Sequence, residues 1–287
     1  MNIKNILQEI EKADQGGYQK LTDRRGALKS FGSKMALASM PLVVGSLFKK
    51  AYGKTTLSTV FNVLNFLLEL EYFEYNYYHQ ANNTGALIAV ADQPGFALIE
   101  AQEKNQLNFL RSLINNMGGI PFTPSGYTAN PVTGNPYSPS SYDFTAGNQY
   151  AVFNNYGAFL TMAQTFEDTM VRAYQGQLPD LLGYQSDVLI QVLQLSSVDA
   201  RHASFVRLVR RNAGAIDVPK PWITNNIPPS SNLQAFYLGE DNQTQRGINI
   251  YSLPGVSGDL SETNATEAFD EPLDMATVNS LLAPFMM

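Results

Sequence analysis

Acidic residues recur in this chain at positions where aliphatic ones would pack. Read at alternating steps of three and four, residues 57–78 give Leu57, Val60, Leu64, Leu67, Glu71, Glu74 and Tyr78. Residues 96–117 give Phe96, Ile99, Glu103, Gln106, Leu110, Leu113 and Met117. Residues 153–174 give Phe153, Tyr156, Leu160, Ala163, Glu167, Met170 and Tyr174, and residues 192–213 give Val192, Leu195, Asp199, His202, Val206, Val209 and Ala213. Each line is the inward stripe of an amphipathic helix, and each is interrupted near its middle by an acid. A lone carboxylate buried in such a core is costly and stays neutral. Four of them, from four helices, can instead share a cation, which reverses that cost. Asp199 and His202 stand three residues apart, one above the other on a helix face, the spacing that metal sites in helical bundles use.

The helices that must position these residues form a repeat. With an offset of 96 residues, Glu71 falls on Glu167, Glu103 on Asp199, Gln106 on His202 and Tyr78 on Tyr174. The match continues through Phe109 and Phe205, Arg111 and Arg207, Asn116 and Asn212, Gly118 and Gly214, and Ile120 and Ile216. A repeat of this kind describes one helical hairpin used twice, with carboxylates at equivalent points.

Composition narrows the chemistry. The 287 residues suffice for a full core, and 44% hydrophobic with 15% charged residues is the balance of a globular protein. A net charge of −6 leaves no basic face for nucleic acid. The absence of cysteine excludes disulfides, zinc–thiolate sites, iron–sulfur clusters and a cysteine-held electron-transfer iron. Two histidines, His79 and His202, exclude a histidine-rich site.

Along the chain, residues 1–53 read as a leader separate from the bundle. Asp23-Arg24-Arg25-Gly26-Ala27-Leu28-Lys29 precedes a mildly apolar run from Met35 to Phe48, then Lys49-Lys50-Ala51-Tyr52-Gly53. This has the form of a twin-arginine export signal, which directs the protein to the periplasm or cell envelope; the alternative is a basic amphipathic helix on a cytoplasmic protein. The run contains Pro41 and is too short for a membrane span. Residues 54–216 read as the bundle. Helix one covers about 55–80, and Asp92 with Pro94 starts helix two, which Gly118 ends as Gly214 ends helix four. Helix three begins after Gly147 and ends near Gly176, and helix four starts between about 180 and 186. Residues 119–146 are aperiodic, as expected of a crossover that returns along the bundle so that helices two and three run parallel. Residues 217–287 form an irregular extension expected to wrap the bundle, with a mobile tail as the alternative. Its last element is a helix over about 274–282, capped by Asp274 and docking through Met275, Val278 and Leu282.

Four motifs in order carry a resemblance. They are Leu70-Glu71-Tyr72-Phe73-Glu74, the run from Glu103 through Gln106-Leu107-Asn108-Phe109-Leu110, Phe166-Glu167-Asp168 with Val171-Arg172-Ala173-Tyr174, and Asp199-Ala200-Arg201-His202-Ala203. With Ala268-Phe269-Asp270-Glu271-Pro272-Leu273 near the end, they resemble the ferritin-like domain proteins, which often carry twin-arginine leaders. The resemblance covers about 55–287. It implies an all-α, ferritin-like four-helix bundle with a carboxylate-bridged pair of iron or manganese ions that reacts with dioxygen or peroxide. On that pattern the metal ligands are Glu71, Glu103, Glu167, Asp199 and His202. Gln106 stands where the pattern has a histidine, and Asp199 where it has a glutamate, so the half-site of Glu71, Glu103 and Gln106 lacks its nitrogen donor.

Each of these residues also has a plainer reading. The acids can be paired with Arg111, Arg172, Arg201 or Arg207 in a metal-free core. Glu74 is a spare carboxylate on the inward stripe. Gln106 is either a weak ligand or a core amide donating to Glu103. Tyr78 and Tyr174 are core tyrosines, or they hydrogen-bond a ligand carboxylate or carry a radical. His79 reads as a surface residue at a helix end, and Tyr127, Tyr137 and Tyr142 as loop packing. The expected partners are metal ions, with self-association open and no nucleic acid. The competing function is a metal-free bundle with a structural, stress-protective or binding role at the cell envelope.

Overall fold

The computed structural model describes residues 55–125, 127, 136–182, 184, 186–217, 220–250 and 261–287. The leader expected over 1–53 lies outside these residues. Four long helices carry the stripes: α1 (Leu57–Asn82), α2 (Gln93–Asn116), α3 (Tyr156–Leu181) and α4 (Ser186–Asn212). Thr56 caps α1 by accepting from the Thr59 amide at 3.2 Å, and Asn155 caps α3 by accepting from the Ala158 amide at 2.9 Å. Such caps satisfy amides that have no partner inside the helix. Gly118 and Gly214, at φ +83° and +92°, close α2 and α4 in the left-handed conformation that glycine adopts freely.

The four helices form a bundle of two hairpins. α1 packs chiefly on α2 and α3 chiefly on α4, and α1 and α3 also pack on each other. The inward stripes are buried at Val60, Leu64, Leu67, Phe96, Ile99, Leu110, Leu160, Ala163, Met170, Val192, Val206 and Val209.

α1 and α3 are buried on nearly every face, because the crossover and the C-terminal residues cover their outer sides. Phe73 of α1 lies among Tyr142, Phe144, Phe166 and Phe285, and Tyr142 pairs with Met286 in an isolated β-bridge. Leu233, Phe236 and Tyr237 join the same core. A two-residue antiparallel pair, β1 (Thr244–Gln245) with β2 (Ile248–Asn249), precedes the short α5 (Glu262–Thr266) and α6 (Met275–Leu282). Asp274 caps α6 by accepting from the Thr277 amide at 2.7 Å, and Val278 and Leu282 are fully buried. Among the described residues no helix is long and apolar enough to cross a membrane.

One boundary differs from expectation, and one expected start lacks its side-chain cap. Gly176 does not end α3, which runs on to Leu181. Its missing side chain serves a tertiary contact: a Cβ there would lie 1.9 Å from the backbone oxygen of Leu273. Asp92 precedes α2 but makes no side-chain cap; its carboxylate accepts instead from the Tyr156 hydroxyl at 2.6 Å.

Candidate metal centre

The bundle brings the stripe acids into one interior cluster. Glu71 and Glu74 from α1, Glu103 from α2, Glu167 from α3 and Asp199 from α4 are each at most 1% exposed, and Glu74 feels the charge of the other four. Gln106 and His202, also buried, complete the group.

The polar contacts of the cluster cross from one hairpin to the other, in pairs that the repeat relates. Tyr78 on α1 donates to Glu167 Oε1 on α3 at 2.5 Å, and the equivalent Tyr174 donates back to Glu71 Oε1. Gln106 Nε2 on α2 donates to Asp199 Oδ1 on α4 at 2.8 Å. The equivalent His202 holds Nδ1 2.7 Å from Glu103 Oε1 and 3.8 Å from Glu167 Oε2. Gln106 was expected to donate to Glu103 if it were a core amide; it reaches Asp199 instead.

His202 carries the sharpest electrostatic feature. Its Nε2 lies 2.6 Å from Gln102 Oε1. An amide oxygen only accepts, so in the neutral ring the proton sits on Nε2 and Nδ1 presents a lone pair. Burial lowers the imidazole pKa to about 4, against the pull of Asp199, so the ring is neutral near pH 7. His202 Nδ1 and an ionised Glu103 Oε1 then face each other as two acceptors, and neither has a partner until Glu103 takes up a proton or a cation enters. Glu71 Oε2, Glu74 Oε1, the second oxygen of Glu103, Gln106 Oε1, Glu167 Oε2 and Asp199 Oδ2 are also buried without partners. Buried polar atoms are normally paired, so this concentration of acceptors calls for positive charge.

No arginine is seen to bond to the cluster among the described residues, and Arg201 acts on Asp199 only through its charge. Arg111 donates to the Tyr72 hydroxyl, and the repeat-equivalent Arg207 donates to Asp168. Arg172 pairs with Glu240 at 2.6 Å, and Arg201 is exposed. Without a cation the acids respond by holding protons. Burial and then their mutual repulsion raise Glu71, Glu74, Glu103 and Glu167 well above the ordinary carboxylate range. Burial also raises Asp199 to about 6, with His202 and Gln106 opposing. Tyr78 and Tyr174 are raised too, by burial and by their glutamates, and so remain protonated donors.

The donor set fits a metal ion. One ligand atom from each of Glu103, Asp199 and His202 lies within 4.8 Å of the other two. Ligands of one ion bound at about 2.2 Å lie no more than ~4.4 Å apart, so three donors gathered in this range can share one ion. His79, by contrast, stands apart and is not partnerless: its Nδ1 meets Glu100 Oε1 at 2.7 Å. The participant that sequence reading missed is Gln102. It adjoins the stripe, and the position 96 residues on is Val198, so the repeat does not mark it.

A comparison with curated proteins finds no match to this chain. The model of the ferritin-like domain matches residues 59–212, a span that begins in α1 and ends with α4. With that match over more than half of its 287 residues, the chain belongs to the ferritin-like domain family.

Proposed function

We propose that the cluster is a metal centre in which Glu103, Asp199 and His202 hold iron or manganese, with Glu71, Glu74 and Glu167 as the surrounding carboxylates. The observation that carries this reading is the convergence of Glu103, Asp199 and His202, with ligand atoms within 4.8 Å of one another, among buried carboxylate oxygens that no arginine contacts among the described residues. A divalent cation stabilises these atoms at once and discharges the repulsion among the acids. When bound, a redox-active ion supplies electron exchange with dioxygen or peroxide, the reaction class we assign to the site.

The chain's own residues have defined parts in this proposal. Gln102 fixes the His202 tautomer so that Nδ1 faces the acids. Tyr78 and Tyr174 each hold one oxygen of Glu167 and Glu71, leaving the other free to bind. The aromatic packing of Phe96, Phe159 and Phe205 keeps bulk water out beside Tyr78. The paired arginines Arg24 and Arg25 place this centre in the periplasm or cell envelope in our reading. Fractionation of cells making the full chain, with R24K/R25K retained inside, tests that step.

A second reading is favoured by one contact. Gln106 satisfies Asp199 with an N–H, as a metal-free bundle with a structural, stress-protective or binding role would require. Two measurements separate the readings: the metal content of protein purified from its native compartment without chelators, and calorimetric titration of the stripped protein with manganese(II). We expect bound metal, and loss of manganese binding in H202A and D199N. Native protein without metal, together with no manganese binding, would leave the structural role standing.

A further inference from the structure

We infer that this cluster takes one transition-metal ion rather than two, seated among Glu103, Asp199 and His202, with the Gln106 amide standing where a second ion's nitrogen ligand would be. The inference rests on the metal-binding reading above and specifies its stoichiometry.

The basis is an inequality between two contacts that the repeat makes equivalent. His202 faces Glu103, and 96 residues earlier in the chain Gln106 faces Asp199. The first contact sets two acceptors, His202 Nδ1 and Glu103 Oε1, 2.7 Å apart and is completed only by a proton or a cation between them. The second sets an N–H against a carboxylate oxygen at 2.8 Å, so the two facing atoms are already paired, although Gln106 Oε1 and Asp199 Oδ2 are not. A cation placed there would have to displace a buried hydrogen bond and would meet the positive end of the amide dipole. The oxygen that Gln106 offers elsewhere is neutral, and transition metals hold it more weakly than imidazole.

Geometry points the same way. Among the described residues, Glu103, Asp199 and His202 are the one set of histidine and acid side chains whose ligand atoms all lie within 4.8 Å of one another. Glu71 and Glu74 are close enough to repel the set but form no such group on the Gln106 side. A carboxylate from each hairpin meets the single imidazole, so one ion joins the two halves of the bundle.

Titration of the metal-stripped full chain with cobalt(II), followed by calorimetry and visible absorption, tests this. We expect saturation at one equivalent, with absorption bands that shift when His202 is replaced (H202Q). In Q106H we expect a second equivalent of comparable affinity. Two equivalents of like affinity in the unaltered chain would overturn the inference while leaving the metal centre intact. Absence of cobalt binding would overturn the metal centre itself. Should Q106H fold, by its circular dichroism, and still take one equivalent, Gln106 is not what limits the site and that half of the inference falls. Should it not fold, the stoichiometry of the unaltered chain decides alone.

Discussion

The hydroxyl of Tyr78 reaches from α1 to α3 and donates to Glu167 Oε1 at 2.5 Å, passing over the glutamate of its own hairpin. Tyr174 makes the reciprocal bond to Glu71. Each hairpin therefore orients the acid of the other, and the two copies of the repeat are joined by polar bonds at the centre of an otherwise apolar interface. Phenylalanine at either position keeps the buried ring and removes the donor, leaving a carboxyl oxygen unsatisfied. Y78F and Y174F should each lower the stability of the metal-free protein by about 1–3 kcal/mol, read from urea unfolding midpoints. Equal effects are expected, since the repeat makes the bonds equivalent. No change in either variant would show that these hydroxyls do not bind the glutamates in solution.

A stronger loss should follow from Arg172. Its guanidinium holds Glu240 at 2.6 Å and donates to the carbonyls of Phe236, Leu238 and Glu271. One α3 side chain thus collects two separate stretches of the C-terminal extension, residues 236–240 and Glu271. R172M leaves the Glu240 charge buried without its partner, and removing one member of such a pair costs roughly 3–5 kcal/mol. Thermal unfolding and proteolysis of the extension should both show it, with partial recovery in R172M/E240M. Recovery is the telling result, because it separates an orphaned charge from simple loss of packing.

The inner surfaces of the hairpins were legible in the sequence, and the reason is visible at particular residues. Val60, Leu64 and Leu67 follow the period because each turn of α1 presents the same side to the bundle. The period fails at its ends, where Leu57 is 42% exposed and Ala213 lies outside the core. A strict alternation of three and four drifts around a helix of 3.6 residues per turn. It was silent about Phe73 and Tyr77, off the stripe but buried, because their cover comes from Phe144, Phe153 and Phe285, distant in sequence. The acids of the cluster were legible because they break an apolar pattern. Gln102 breaks none, and Arg172 with Glu240 share no helix, so neither contact leaves a local trace.

Gly176 shows how a local rule yields to a tertiary one. Glycine near a helix end suggests a cap, yet α3 continues and the glycine admits the Leu273 carbonyl. The Leu273 amide also donates to the Arg172 carbonyl at 3.0 Å, so backbone meets backbone with no flexible side chain to yield. G176A should destabilise the protein by about 1–3 kcal/mol despite alanine's better helix propensity, measured by chemical denaturation. A neutral or stabilised variant would mean that the extension does not approach α3 this closely.

Gln102 gives a prediction specific to binding. Leucine at this position removes the acceptor that keeps the His202 proton on Nε2. Loss of such an orienting partner weakens metal sites by about 10–100-fold. Q102L should show that loss for manganese(II) by calorimetry, with its unfolding midpoint in the metal-free state changed little because Gln102 is only half-buried. Unchanged affinity would remove Gln102 from the site.

The metal-free protein should become more stable as the pH falls from 8 to about 6.5. A carboxyl whose folded pKa is raised above its unfolded value contributes stability that is complete below the unfolded value and is lost as the pH rises through the folded one. For Asp199 that window opens at 3.8 and extends to about 6. For Glu71, Glu74, Glu103 and Glu167 it opens at 4.5 and extends well upward. His202 runs the other way: with its pKa lowered from 6.5 to about 4, it removes stability as the pH falls through that interval. Above about pH 6.5 Asp199 and His202 contribute little, and the raised cluster glutamates act together with Glu240, which burial lifts to about 7, so the melting temperature of stripped protein should climb as these groups take up protons. Bound manganese does the work of the cluster's protons, so loading should flatten the climb, while manganese affinity should fall on acidification because ligand carboxyls must deprotonate to bind. Melting curves of stripped and loaded protein across this range check both halves. A metal-free melting temperature that stays level or drops from pH 8 to 6.5 would mean that the acids are already neutralised by another group, and the case for a cation among them would go with it.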